Sequence, residues 1–318
     1  MIRRLIVVIG VCILTGGCRS QAPQSNPPAP TEVVVHSSRT RVFTVADESS
    51  STVFVQTPGS PPHRLTSNTH AWESDPVLSG SGQIIAYSTA AGPDGRSEVW
   101  VARVDGSHAH RVSGDAEDAV MPAFVPDEHS LLYVRSRFNG HYSPIARPRR
   151  HKFDVVKVAV DADGPMIGAP SLELTHQSFF DLQSLSVSQD GERFLISTSG
   201  YPIGSLIEEF EFANPNLVKR MFQPHVPSEP QGSPQVGQAA YTNGGMEIVF
   251  TAATEGKDGM FNYNIYKMSD VTGGELVKLA DHSGTVDRLD VANDGTVVFV
   301  AGGKQYAIDP KTNLIHQE

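Results

Sequence analysis

The chain repeats one phrase, a turn rich in Gly and Asp that runs directly into a short apolar segment rich in Val, Ile, Phe and Tyr. Five copies are clear, and their turns lie about 45–65 residues apart, at residues 79–89, 126–136, 188–199, 242–253 and 292–303. Repeats of roughly this length indicate a solenoid, a propeller or an array, because one unit cannot bury its apolar face alone. The repeat therefore predicts units that pack on one another.

Each unit contains further short segments in which apolar and polar residues alternate, separated by Asp-Gly, Pro-Gly, Asn-Pro or Gly-Gly pairs. Alternation of this kind predicts half-buried strands, and the paired residues are turn formers. Four short antiparallel strands per repeat make a propeller blade. We predict an all-β fold, a six-bladed β-propeller of four-stranded antiparallel blades. Its units begin near residues 31, 68, 115, 177, 229 and 283, and residues 41–46 should lie near the last blade.

The first residues form a targeting segment. Arg3 and Arg4 precede an apolar stretch at residues 5–14, which is too short to indicate a membrane span. Small residues then lead to Cys18, and this arrangement resembles a bacterial lipoprotein signal. The resemblance implies that Cys18 is the site of lipid attachment. Thr15 stands where the usual motif has Leu, which leaves ordinary secretion with cleavage nearby as the alternative.

The residues after Cys18 suit a tether. Residues 19–31 are rich in Pro, Ser, Gln and Asn and cannot pack a core, so we predict three parts: signal peptide 1–18, tether 19–31 and propeller 32–318. Arg19 rather than Asp follows Cys18, which favours attachment at the outer membrane over retention at the inner membrane. We expect the lipid to be the protein's only contact with the membrane. The net charge of −10 argues against nucleic acid as a partner.

One stretch carries a family resemblance. In residues 63–113 (HRLTSNTHAWESDPVLSGSGQIIAYSTAAGPDGRSEVWVARVDGSHAHRVS), a Leu-Thr strand precedes a polar segment with Asp and Pro, then a Gly turn and two strands, the second ending in Asp-Gly. This order resembles the repeat of the TolB-like β-propellers, which are WD-like propellers of bacterial envelopes. The resemblance covers about residues 40–318, with departures such as PDEHS at 126–130. It implies the fold and the compartment, and it does not extend to TolB's role in the Tol–Pal system.

Loops of a propeller that enter the innermost strands, or that join second to third strands, gather on one face, where function usually lies. The loops that enter the inner strands carry residues that could ring the mouth of the channel as a funnel for a cation or polar ligand: Trp72, Glu73, Asp75, Asp118, Asp181 and Asp287. In the alternative interpretation these acidic residues cap turns through their own backbone.

The third unit contains a basic and partly aromatic segment at residues 137–152 in an otherwise acidic protein. It could grip an anionic partner such as a polysaccharide, a lipid headgroup or an acidic protein patch. The alternative interpretation is a solvated loop that tolerates an insertion. The candidate contact residues are Phe138, Tyr142, Arg147, Arg149, Arg150 and Lys152.

The sequence contains no nucleophile elbow of the form G-x-S-x-G and no H-E-x-x-H motif, and its two cysteines both lie in the first eighteen residues. We therefore predict no catalytic residues, metal or cofactor. The leading hypothesis is a monomeric, non-enzymatic envelope protein that presents a propeller face to an envelope protein or an anionic glycan. One alternative is a propeller enzyme that acts on polysaccharide, as a metal-dependent lyase or a glycoside-acting enzyme. Another is a spacer.

Overall fold

The computed structural model describes the residues in the following ranges: 40–47, 49–66, 71–92, 94–115, 117–141, 148–161, 171–200, 204–222, 235–242, 245–255, 261–269, 276–282, 285–292, 295–302, 304–309 and 312–317. All of them belong to one compact unit, Ser37–Glu318. The predicted signal, Cys18, the tether, Tyr142 and Arg147 lie outside these ranges. The described residues form strands and turns, and they include no helix long and apolar enough to cross a membrane.

Within the described ranges, the strands form one seven-stranded sheet and four four-stranded sheets. Sheet 1 contains β1 (Arg41–Ala46), β2 (Ser51–Gln56), β3 (His63–Arg64), β4 (Trp72–Leu78), β5 (Ile84–Ala90), β6 (Ser97–Arg103) and β7 (His110–Arg111). Sheet 2 contains β8 (Asp118–Phe124), β9 (Ser130–His141), β10 (Pro148–Ala159) and β11 (Leu172–Glu173).

Sheet 3 contains β12 (Leu182–Val187), β13 (Arg193–Gly200), β14 (Gly204–Glu211) and β15 (Val218–Phe222). Sheet 4 contains β16 (Gln235–Thr242), β17 (Glu247–Glu255), β18 (Phe261–Ser269) and β19 (Leu276–His282). Sheet 5 contains β20 (Arg288–Val291), β21 (Val297–Ala301), β22 (Lys304–Ile308) and β23 (Ile315–Gln317). In each of these sheets neighbouring strands are consecutive in the chain and antiparallel.

The repeated phrase forms the turn between the first and second strands of a sheet. In sheet 3, Gly191 donates its backbone N–H to the Ser188 carbonyl over 2.9 Å, and its φ of 71° is one that glycine adopts without strain. The divergent copy PDEHS makes the same turn without glycine. There Glu128 holds a φ of 57°, and the Asp127 carboxylate accepts the N–H groups of His129 and Ser130. The local hydrogen bonds of Asp127 thus support a left-handed conformation that glycine provides elsewhere.

The sheets pack face to face in chain order. Five apolar cores lie between consecutive layers: one between the β1–β3 and β4–β7 parts of sheet 1, and one at each junction from sheet 1 to sheet 5. At the junction of sheets 2 and 3, Phe179 meets Phe210 edge-on at 6.2 Å between ring centroids. Burying one such apolar side chain contributes about 1.5–3 kcal/mol, so these layers hold one another in place. The arrangement is a propeller of four-stranded antiparallel blades.

The predicted count of six separate four-stranded blades differs from what the described residues show, which is four four-stranded sheets and the seven-stranded sheet 1. The reason is a single parallel pairing of Ser51 with Trp72, which joins β2 to β4. Ser51 also donates its hydroxyl to the Glu73 carbonyl over 2.6 Å. Sheets 2–5 fall within the last four predicted units.

Candidate functional site

A central cavity of about 680 Å³ is surrounded by the first strand of each layer from β4 onward, and we call these the inner strands: β4, β8, β12, β16 and β20. Four of these inner strands, β4, β8, β12 and β16, carry an irregularity at which the pairing register shifts. The residues at the irregularities line the cavity: Asp75, Met121, Gln183 and Gln238. A β-bulge re-aims side chains, and here each bulge places at least one residue in the cavity wall.

Two of the bulges contain proline. Pro76 and Pro122 have no N–H to offer a neighbouring strand, and the residues before them, Asp75 and Met121, have φ values of 50° and 54°. Sequence reasoning singled out Asp75 but missed Met121, Gln183 and Gln238. A proline within an otherwise regular strand pattern was the available signal for the first of these three.

The cavity wall is polar and mixed in charge. Arg288 pairs with Asp290 at 3.0 Å, and Asp287 accepts the Gly302 N–H at 3.2 Å. Gln238 donates its amide to the Gln183 carbonyl at 2.8 Å, which ties two inner strands together. Within the described part of the chain, no group of three His, Cys, Asp or Glu side chains is placed to hold a metal ion. This wall offers hydrogen bonds to a polar ligand.

Two predicted mouth residues instead connect neighbouring layers. Glu73 is 2% exposed and accepts the backbone N–H of Val53 at 2.7 Å and the hydroxyl of Thr66. Asp118, also buried, accepts the backbone N–H of Ser97 at 2.9 Å. Each carboxylate therefore satisfies a backbone donor in a strand of the preceding layer, Val53 within β2 and Ser97 at the start of β6.

The other mouth residues have different surroundings. Trp72 is half-buried at the start of β4, and Asp181, which precedes β12, accepts the Gln183 amide at 3.3 Å. Asp75 and Asp287 both line the central cavity. The structure thus brings only two of the six predicted residues into the cavity wall.

The basic segment forms an extended hairpin. β9 and β10 each have 12 residues, and we call their distal ends, residues 136–141 and 148–153, the arm. Phe138 stacks on His151 at 6.3 Å between ring centroids, and His151 contacts Phe180 at 4.9 Å. Phe138 and Phe180 are 45% and 53% exposed. The arm and the neighbouring Phe180 therefore present an aromatic surface to solvent.

The three predicted basic contact residues that lie in the described part of the arm divide into two groups. Arg150 is held in place, because its guanidinium donates to Asp118, to the Gly95 carbonyl and to Ser97 over 2.8–2.9 Å. Arg149 and Lys152 are exposed beside the aromatic surface. A cleft of about 430 Å³ separates the arm from the loop that contains Asp94.

Two acids with shifted pKa values, the buried Glu208 and the half-buried Glu117, lie away from the central cavity. Burial raises the pKa of Glu208, which has a hydrogen bond from Thr198. Burial would also raise the pKa of Glu117, but donors from Tyr133, Gly114 and Arg135 lower it below its usual range. Neither residue lines the cavity, so these shifts accompany packing between strands.

Comparison with known proteins supports the fold. No protein-family model matches the chain, and no curated protein matches it by sequence. TolB from Acinetobacter baumannii superposes with a TM-score of 0.63 and 14% identity, over 87% of this chain and 63% of that one. A candidate TolB from Agrobacterium tumefaciens gives 0.55 and 13%, over 81% and 83%.

A further match is the hydrazine synthase of Kuenenia stuttgartiensis, with a TM-score of 0.59 and 14% identity over 84% of this chain and 41% of that one. The chain therefore spans less than two thirds of the A. baumannii TolB and of the hydrazine synthase chain. Likeness at such low identity concerns the fold. Together with sheets packed in order around a central cavity, it shows that this chain has a TolB-like β-propeller fold.

Proposed function

We propose that this protein is a non-enzymatic binding module of the bacterial cell envelope, in which the arm contacts an anionic protein or glycan. The observation that carries the proposal is the aromatic surface of Phe138, His151 and Phe180, flanked by exposed Arg149 and Lys152. Aromatic side chains and arginine are enriched where proteins bind partners, and an exposed apolar patch with a polar rim marks such places.

Rigidity supports this assignment of the arm. Arg150 fixes one strand of the arm to Asp118 and to the preceding layer, and Asn139 on the other strand reaches Asp118 at 3.3 Å. A surface held in place loses less conformational entropy when it binds a partner. Arg150 therefore acts in our proposal as a positioning residue, while Arg149 and Lys152 contact the partner.

The propeller that carries the arm has, in our proposal, six blades. The β4–β7 part of sheet 1 has the same antiparallel order as sheets 2–5, and it joins β2 only through the Ser51–Trp72 pairing. Treating β1–β3 as a separate first blade gives six. A crystal structure tests this count, and a continuous sheet with several pairings between β2 and β4 would contradict it.

The envelope location rests on the sequence. We propose that the chain is exported, lipidated at Cys18 and held at the outer membrane as a monomer by the tether of residues 19–31. Labelling cells with radioactive palmitate tests this directly. The natural chain should take up label and sediment with membranes, and Cys18→Ser should do neither. Equal labelling of both would contradict lipidation at this residue.

The binding proposal is tested on a column of immobilised anionic polysaccharide. Because the chain has a net charge of −10, retention requires a local basic surface. The double variant Arg149→Ser/Lys152→Ser should elute at lower salt than the natural chain. The control, Lys219→Ser/Lys278→Ser, removes the same charge from outer strands of sheets 3 and 4 and should leave retention unchanged. Equal effects of the two variants would contradict a role for the arm.

A further inference from the structure

The cleft beside the arm has walls of two different chemical kinds. Its volume of about 430 Å³ is within the range of small-ligand sites. The arm supplies one wall and the loop between β5 and β6 supplies the other. The lining combines an aromatic ring with side chains that donate or accept hydrogen bonds, and it includes Asp94, Arg96, Asp118, Ser136, Phe138 and Asn139.

The arm itself holds the Phe138 ring beside the cleft. A Cβ atom placed on Gly140 would lie 2.7 Å from Cζ of Phe138. Carbon atoms pack at roughly 3.5–4.0 Å, so the ring lies directly over Gly140 and only glycine leaves room for it. His151 stacks on the ring from the paired strand at 6.3 Å between centroids. The buried Ser136 hydroxyl lies 2.8 Å from the Phe138 carbonyl oxygen and 2.9 Å from that of His151.

Asp118 and Asn139 form a polar part of the same lining. The Asp118 carboxylate is 8% exposed and is neutralised by the Arg150 guanidinium at 2.9 Å. Its other oxygen accepts one Asn139 amide N–H at 3.3 Å. A primary amide has a second N–H and an oxygen that accepts. The exposed Asn139 therefore keeps a donor and an acceptor for the hydroxyl groups of a ligand.

The opposite wall carries two exposed charges. Within the described ranges, the side chains of Asp94 and Arg96 make no hydrogen bond and no ion pair. A guanidinium binds a carboxylate through two parallel hydrogen bonds, and a carboxylate accepts hydrogen bonds from neighbouring hydroxyl groups. This wall therefore fits a ligand that carries both a carboxylate and hydroxyl groups.

We propose that the cleft binds one acidic sugar residue, a uronate, of a glycan. The sugar carboxylate pairs with Arg96, the apolar C–H face of the ring packs on Phe138, and the hydroxyl groups bond to Asp94 and Asn139. This inference rests on the proposed function of the arm and names a glycan as its partner.

An acidic side chain of a partner protein is the other source of a carboxylate. It would pair with Arg96 but would bring no hydroxyl groups to Asn139, and the exposed Asp94 carboxylate would repel it. A uronate offsets that repulsion with hydroxyl donors. The mixed charge of the cleft therefore favours the sugar.

Titrations of the full chain followed by saturation-transfer NMR test this proposal, with methyl β-D-glucuronide and methyl α-D-galacturonide as probes. At least one probe should bind, and Arg96→Gln should weaken its binding about tenfold. The control Arg64→Gln removes the same charge from the exposed end of β3 and should leave binding unchanged. Gly140→Ala displaces the Phe138 ring without removing it and should also weaken binding.

Three results would overturn the proposal: no binding of either probe, equal effects of Arg96→Gln and Arg64→Gln, or tighter binding of N-acetylglutamate than of both probes. The last result would assign the cleft to an acidic protein. Retention of the natural chain on anionic polysaccharide, and its loss in Arg149→Ser/Lys152→Ser, test the arm separately. Failure of the cleft therefore leaves that result intact, whereas failure of the arm is seen as absent retention of the natural chain.

Discussion

Asp118 is the residue at which packing and the candidate binding surface can be tested together. Its side chain is 8% exposed and accepts hydrogen bonds at 2.9 Å from the Ser97 N–H and from the guanidinium of Arg150, which is 27% exposed. A hydrogen bond from a neutral donor contributes about 1 kcal/mol to the free energy of unfolding, and one from a charged donor about 1.5–3 kcal/mol. Because Arg150 keeps its bonds to Gly95 and Ser97, Asp118→Ala should lower the free energy of unfolding by about 2–4 kcal/mol.

The assay is urea unfolding of the natural chain, Asp118→Ala, Arg150→Ala and the double variant. These four chains form a double-mutant cycle, which should give a coupling energy of about 1.5–3 kcal/mol between Asp118 and Arg150. The matched control is the more exposed pair of Glu98 and Arg111, which is joined at 3.0 Å and for which about 0.2–1 kcal/mol is expected. Additivity at Asp118 and Arg150 within about 0.5 kcal/mol would refute the interpretation that this pair fixes the arm.

Three further predictions concern the packed layers. Burial raises the pKa of Tyr87, Tyr133 and Tyr241 above the ordinary value of 10, so above pH 10 the unfolded chain releases protons that the folded chain keeps. The free energy of unfolding should therefore fall by about 4 kcal/mol per pH unit, and changing one of these tyrosines to Phe should remove about a third of that slope. Burial raises the pKa of Glu208, which favours its neutral form, so Glu208→Gln should raise the melting temperature at pH 7 but not at pH 3; a decrease at pH 7 would count against this. Gly106→Ala should lower the free energy of unfolding more than Gly59→Ala does. Both glycines have a positive φ, but only at Gly106 would the added Cβ contact a backbone atom, the Leu65 carbonyl oxygen. Equal losses of stability would argue against that contact.

Much of the fold follows from local sequence. The turn phrase, its alternating strands and the spacing between copies predict the order of strands, because these depend on turn residues and on which face of a strand is apolar. Asp127 shows why even a divergent copy keeps its turn, since a carboxylate can supply the hydrogen bonds locally.

The candidate site was less predictable, because it depends on contacts between distant residues. Asp118 and Arg150 are 32 residues apart, and only the approach of the arm to the inner strand joins them. Gln183 and Gln238 reach the cavity because bulges shift the register of their strands, and alternation alone does not reveal a bulge. The Ser51–Trp72 pairing that merges two units into sheet 1 is likewise a tertiary contact.

Site-specific photo-crosslinking in intact cells tests the central claim most directly. A photoreactive phenylalanine analogue at position 138 lies on the arm, and the same analogue at Leu217, which is 62% exposed in the turn before β15, serves as the matched control. The account predicts a covalent adduct with an envelope protein or glycan from position 138 and none from position 217. An adduct from position 217 without one from position 138 would contradict the assignment of the arm as the binding surface.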